Sequence, residues 1–117
     1  MPVTIYHNPR CSKSRQTLQL LHDNNIDPVV IEYLKTPPSK NEFKRILTML
    51  EMKPREILRT KEPEYKQYGL DDTSLTDDQI ISIMLEHPKL IERPIVVTKN
   101  RAALGRPPEN VLEVIND

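Results

Sequence analysis

The stretch Val3-Thr4-Ile5-Tyr6-His7-Asn8-Pro9-Arg10-Cys11-Ser12-Lys13-Ser14-Arg15 holds a strand, a tight turn and the start of a helix. Val3 to Tyr6 alternates and is rich in β-branched side chains, the composition of a short strand. His7 to Cys11 turn around Pro9. From Ser12 onward, Ser14, Leu18 and Leu21 recur on one helical face, with Cys11 just ahead of it. Asn24-Asn25 and Asp27-Pro28 end that helix, and Val29-Val30-Ile31-Glu32-Tyr33 is an apolar run of strand length. Two strands joined through a helix are expected to lie parallel.

Residues 36–92 have a different texture and are predicted to form a helical insertion. Pro37-Pro38 lead to Ser39-Lys40-Asn41-Glu42, the pattern of a capping box. Phe43, Ile46, Leu47 and Leu50 follow at helical spacing. Pro54 stands where a helix start tolerates proline, before a short helix through Ile57 and Leu58. A further turn from Glu64 to Tyr68 ends at Gly69, a residue suited to the position just past a helix. Thr76-Asp77-Asp78-Gln79 is a second capping box, backed by Ile80, Ile81, Met84 and Leu85, and Pro88 and Pro94 bracket the exit.

Ile95-Val96-Val97-Thr98 returns to strand composition, and Lys99-Asn100 can turn it into Arg101-Ala102-Ala103-Leu104 as a hairpin ending at Gly105. Pro107-Pro108 open a last helix with Val111, Leu112 and Ile115 on one side. The order is βαβ, helices, ββα. That order predicts an α/β fold in a single domain over 1–117, with a mixed four-stranded sheet flanked by helices. Two parallel strands followed by a hairpin resemble the thioredoxin-like layout.

Composition sets the limits. The 117 residues suit one domain: scaling laws give roughly 6,600 Å² of folded surface against about 19,700 Å² extended, so about two-thirds is buried. With 17 basic and 17 acidic side chains the net charge is zero, which gives no global reason to expect nucleic acid as a partner. No apolar run exceeds three residues, so no membrane span is expected, and no secretory h-region precedes the first strand. A cytoplasmic location follows as the expectation. The single Cys11 excludes an intramolecular disulfide framework.

Charge is balanced only in total. Residues 1–22 carry Arg10, Lys13 and Arg15 without an acid, and Lys89, Arg93, Lys99, Arg101 and Arg106 face Glu92 alone in their segment. Residues 62–86 hold seven acids and only Lys66. Two basic segments converging on one anionic ligand would account for this pattern, and so would clustering on solvated faces.

Chemistry centres on Cys11, directly after a strand and at a helix start. Unpaired N–H groups and the positive end of the helix dipole favour a thiolate there, and Arg10, Lys13 and Arg15 add charge. Lowering a thiol pKa from about 8.5 to about 6.5 raises the thiolate fraction at pH 7 roughly 25-fold, and weaker nucleophilicity takes back about eight-fold. Larger gains must come from holding an electrophile against the sulfur. His7, four residues earlier, either tunes the thiol or shapes the loop. Ser14 makes Cys11-Ser12-Lys13-Ser14 a monothiol version of the redox C-x-x-C, so a second thiol must come from outside. No metal site is expected: His22 and His87 lack partners at zinc-ligand spacing, and Asp71-Asp72 and Asp77-Asp78 lack that of a calcium loop.

Three ordered motifs, Tyr6-His7-Asn8-Pro9-Arg10-Cys11-Ser12-Lys13-Ser14-Arg15, Arg93-Pro94-Ile95-Val96-Val97 and Gly105-Arg106-Pro107-Pro108-Glu109, resemble the glutaredoxin-coupled arsenate reductase family. The resemblance spans nearly the whole chain, including Leu58-Arg59 and Gln67-Tyr68-Gly69-Leu70 of the insertion. It implies a thioredoxin-like fold, a cis Pro94, Cys11 as nucleophile on arsenate, and Arg59, Arg93 and Arg106 as the oxyanion-binding residues. His7, Ser14 and Arg15 would support them. It further implies no bound cofactor, glutathione as co-substrate and glutaredoxin as partner in arsenic detoxification. Guanidinium groups suit the role, since they stay charged and offer paired N–H donors to an oxyanion. Spx-type regulators, which bind RNA polymerase, look similar across the same fold but typically carry C-x-x-C, which Ser14 interrupts. A thiol oxidoreductase acting on another substrate is a further alternative.

Overall fold

The computed structural model describes residues 2–115. Its elements in chain order are β1 (Thr4–His7), α1 (Ser12–Asp23), β2 (Val29–Glu32), α2 (Lys40–Leu50), α3 (Pro63–Gln67), α4 (Asp77–Glu86), β3 (Ile95–Val97), β4 (Ala102–Leu104) and α5 (Leu112–Ile115). Single 3₁₀ turns stand at Pro54–Ile57, Pro88–Leu90 and Pro108–Val111. The chain divides into two compact units, one made of residues up to Thr36 and from Arg93 onward, the other of Pro37–Glu92.

The first unit is a four-stranded sheet in the order β2-β1-β3-β4. β1 and β2 are parallel, as the helical crossover requires, with Ile5 opposite Val30, while β3 runs antiparallel to both β1 and β4. Val3, Ile5 and Val96 from the sheet, Leu21 from α1, and Val111 and Val114 from the C-terminal segment form a buried cluster. Because side chains alternate across a strand, Ile5 and its register partner Val96 share the face that α1 and α5 cover. The mixed four-stranded α/β architecture matches the expectation.

Local details differ from the pattern in two helices. On α1 the buried positions are Ser14, Thr17 and Leu21, with Leu18 only partly buried. Thr17 is inside because its hydroxyl donates to Lys13 O at 2.8 Å, so its polar atom enters the interior satisfied. At the C-terminus Val111 and Val114 are buried, whereas Leu112 and Ile115 are not. Val111 at the end of the 3₁₀ turn and Val114 in α5 are three residues apart, the spacing that puts two residues on one helical face, and that face is the buried one.

In the second unit α2 buries Phe43, Ile46 and Leu47, and α4 buries Ile80, Ile81 and Met84. Thr76 and Gln79 close the expected capping box on α4. The one predicted on α2 closes on one side only: Ser39 Oγ accepts from Glu42 N–H at 3.1 Å, but the Glu42 carboxylate accepts from Arg45 instead. Gly69 stands past α3 with φ +72°, a backbone conformation that side chains resist. Asp78 at the start of α4 bridges Lys40 and Lys44 of α2 at 2.6 and 2.7 Å. The stretch Ile57–Arg59 pairs with Leu90–Glu92 through a bridge at Leu58 and Ile91, with Arg59 N–H donating to Leu90 O and Glu92 N–H to Ile57 O, both at 2.8 Å. Among the described residues no helix is long and apolar enough to cross a membrane.

Candidate active site

Cys11 is the N-cap residue of α1, with extended backbone angles of −92° and 124°. Its N–H donates to Asn8 O at 3.0 Å, closing the turn around Pro9, and its carbonyl accepts the first helical bond from Arg15 N–H. The turn is pinned from both sides. Asn8 is buried, its N–H donating to Ser14 Oγ at 3.0 Å and its Oδ1 accepting from Arg10 N–H at 3.0 Å. A 2.6 Å hydrogen bond joins Ser14 Oγ to His7 Nδ1, both residues being buried.

The sulfur is partly buried and makes no hydrogen bond of capping length to the helix. Burial alone would raise the thiol pKa and is the largest influence on it. It is outweighed by the Ser14 backbone N–H, by a hydrogen bond and the charge from the Arg93 guanidinium, and by the Lys13 backbone N–H, so the pKa lies below its ordinary value. Arg106 Nη1 lies 3.9 Å from Cys11 Sγ and donates to Arg93 O at 3.2 Å.

The hairpin explains why Arg93 and Arg106 meet. β3 and β4 are antiparallel with Ile95 opposite Leu104, so the residue entering one strand and the residue leaving the other stand at the same end. Lys99 and Arg101 occupy the turn at the opposite end. The expected convergence of basic segments therefore holds for Arg93 and Arg106 and fails for Lys99 and Arg101. Both Arg93-Pro94 and Arg106-Pro107 are cis, and the family resemblance implies only the first.

The cations flanking Cys11 do different work from that expected of them. Arg15 is exposed and its Nη1 donates to Pro9 O at 3.0 Å, bracing the turn. Lys13 acts on the sulfur through its backbone N–H rather than its ammonium, and Arg10 contributes its backbone to the Asn8 turn. His7 is connected to the loop through Ser14; its pKa is lowered, chiefly by burial, partly offset by Glu32 and reinforced by Arg15. It is thus a neutral loop-shaping residue at pH 7.

Arg59 belongs to the second unit. Its Nη1 donates to Glu92 Oε1 at 2.8 Å, and its Nη2 lies 3.9 Å from Glu62 Oε1. Arg59 and Arg93 share one feature: each has a buried Nε with no hydrogen-bond partner.

Three contributors escaped the sequence reading. Asn8 was legible as an Asn-Pro turn former, and Glu92 as the lone acid in its basic segment. Gly105 is one of only two glycines, and a Cβ there would run into Thr17 Oγ1 and lie 2.8 Å from Pro94 Cγ. Among the described residues no group of His, Cys, Asp or Glu could hold a metal ion.

The ArsC family model matches residues 6–114. The chain is 50% identical over 114 residues to the uncharacterized protein YfgD of Escherichia coli K12, covering 97% of this chain and 96% of that one. It is 45% identical over 115 residues to an arsenate reductase of Escherichia coli, covering 98% and 82% of the two chains. A solved structure, the arsenate reductase from Vibrio cholerae, is 53% identical and superposes with a TM-score of 0.94 over 98% of each chain.

Proposed function

The chain belongs to the ArsC family, and from that premise we propose that it reduces arsenate to arsenite, with Cys11 as the nucleophile and a second thiol supplied from outside. The observation that carries this reading is the arrangement at the sulfur: Arg106 Nη1 lies 3.9 Å from Cys11 Sγ and donates to Arg93 O, and the Arg93 guanidinium helps to hold the thiol pKa below its ordinary value. A thiolate next to guanidinium donors is the arrangement needed to bring an oxyanion and a nucleophile together without their charges repelling. The buried Arg93 Nε adds to this, because an unsatisfied buried donor costs about 1–3 kcal/mol and an oxyanion oxygen would satisfy it. Arg59 enters as the third binding arginine through the family resemblance and its own unpartnered Nε.

Cys11 thiolate attacks arsenic, a sulfur–arsenic bond forms, and an arsenic–oxygen bond breaks with its oxygen leaving as water after protonation. The thiol of glutathione then attacks the Cys11 sulfur; the sulfur–arsenic bond breaks, its electron pair goes to arsenic, and arsenite departs. Two thiols have become one mixed disulfide and arsenic has gone from the pentavalent to the trivalent state. Glutaredoxin exchanges the glutathione off Cys11 by thiol–disulfide exchange. The single cysteine supports this external supply, since no resolving thiol exists within the chain. A cytoplasmic setting, where glutathione is reduced, belongs to the same reading.

The test is arsenate-dependent NADPH consumption coupled through glutathione reductase, glutathione and glutaredoxin, for wild type and Cys11→Ala. Turnover in the wild type and none in the variant is expected. Equal rates would refute the assignment.

A further inference from the structure

The Arg59 guanidinium is held in a particular way. Of its three nitrogens, Nη1 is engaged by Glu92 at 2.8 Å, Nη2 is 3.9 Å from Glu62 and so beyond hydrogen-bond length, and Nε is buried without a partner. Nη1 lies on the same side of the guanidinium as Cδ, so the N–H of Nε and one N–H of Nη2 point in parallel along the other edge. That edge is the fork that takes two oxygens of one anion. Glu92 therefore grips Arg59 at the nitrogen outside the fork.

The backbone fixes the grip. Arg59 and Glu92 lie on facing segments registered by the Arg59 N–H to Leu90 O and Glu92 N–H to Ile57 O bonds, and both side chains are about three-quarters buried at 23% and 27% exposure. A long side chain with several rotatable bonds loses much entropy when it is immobilised, and a carboxylate already bonded to it bears part of that cost before an anion arrives. An unpaired carboxylate there would merely repel an incoming oxyanion. Placed on Nη1, it orients the fork.

We propose that Glu92 is a positioning residue that holds the Nε/Nη2 edge of Arg59 ready for bidentate binding of the arsenate oxyanion. This rests on the reading of Arg59 as an oxyanion-binding residue. Glu92→Gln retains an acceptor for Nη1 and removes the charge, whereas Glu92→Ala removes both.

The experiment measures arsenate KM and kcat in the coupled assay for wild type, Glu92→Ala, Glu92→Gln, Arg59→Ala and the Arg59→Ala/Glu92→Ala pair, each checked for an unchanged thermal midpoint. Glu92→Ala is expected to raise KM about ten-fold with kcat within about two-fold, and Glu92→Gln to stay within about three-fold of wild-type KM. In the Arg59→Ala background, adding Glu92→Ala should change KM by less than about two-fold, since its effect passes through Arg59. The proposal is overturned by a wild-type KM in Glu92→Ala, by equal impairment of Glu92→Gln and Glu92→Ala, or by a full further loss in the double variant. Each of those leaves the Arg59 reading standing. A wild-type KM in Arg59→Ala would instead remove that reading, and the role of Glu92 with it.

Discussion

At the scale of single residues, Cys11 sits between opposed influences. Partial burial pushes its thiol up, while two backbone N–H groups and Arg93 bring it down further. Removing the guanidinium tips that balance, so Arg93→Ala should move the midpoint of the pH profile of Cys11 alkylation upward. The same substitution should raise the arsenate KM. An unchanged midpoint with an unchanged KM would detach Arg93 from the sulfur. Ser14 carries a different burden: its hydroxyl satisfies the buried Asn8 N–H and meets His7 Nδ1. Ser14→Ala leaves both without a partner and should cost about 1–3 kcal/mol in chemical denaturation. The sequence already singled out Cys11, from its place after a strand and before a helix. It could not say which cation acts on the sulfur, because Arg10, Lys13 and Arg15 are near in sequence while Arg93 is near in space.

At the scale of elements, the strands and the long helices were legible because period and punctuation agreed. The α1 start, the Thr76 capping box and the β3–β4 hairpin follow from residues within a few positions of each other, and the parallel β1–β2 pair follows from the helix that joins its strands. Thr17 escaped because its partner is far away in the chain: it is buried against Gly105, 88 residues on. The half-formed box at Ser39 is instead a local competition, in which Arg45, three residues on, takes the Glu42 carboxylate. Gly105→Ala tests the closest of these approaches. The added methyl would have to displace Thr17 or Pro94, so a loss of about 1–3 kcal/mol is expected, with a raised arsenate KM because Arg106 is the next residue. A fully stable, fully active Gly105→Ala protein would show that the segment yields freely. Thr76→Ala removes one cap from α4 and should cost about 1 kcal/mol without touching KM.

At the scale of the whole molecule, zero net charge conceals basic and acidic residues with separate duties. Arg93 and Arg106 gather at Cys11, while in the second unit Asp78 pairs with Lys40 and Lys44, Glu42 with Arg45, and Glu92 with Arg59. Two titratable groups leave a mark on stability against pH. His7 has a folded pKa below 6.5, so the unfolded chain binds its proton more readily and stability falls as pH drops from about 6.5 through the folded value. Asp78 is held at about 2 against 3.8, first by the Lys40 and then the Lys44 hydrogen bond; its contribution is complete above 3.8 and is lost as pH falls through about 2. His7→Asn should flatten the first slope and Asp78→Asn the second, as read from denaturant midpoints across pH; an unaltered profile in either variant would contradict its assignment. The central claim is that one cysteine and one borrowed thiol carry the two electrons. It is tested most directly by a single turnover with arsenate and glutathione in the absence of glutaredoxin, followed by intact-mass analysis and an arsenite count. The account predicts one arsenite released per chain and one glutathione bound through a disulfide at Cys11. Arsenite released from a chain that carries no adduct, or no arsenite at all, would contradict it.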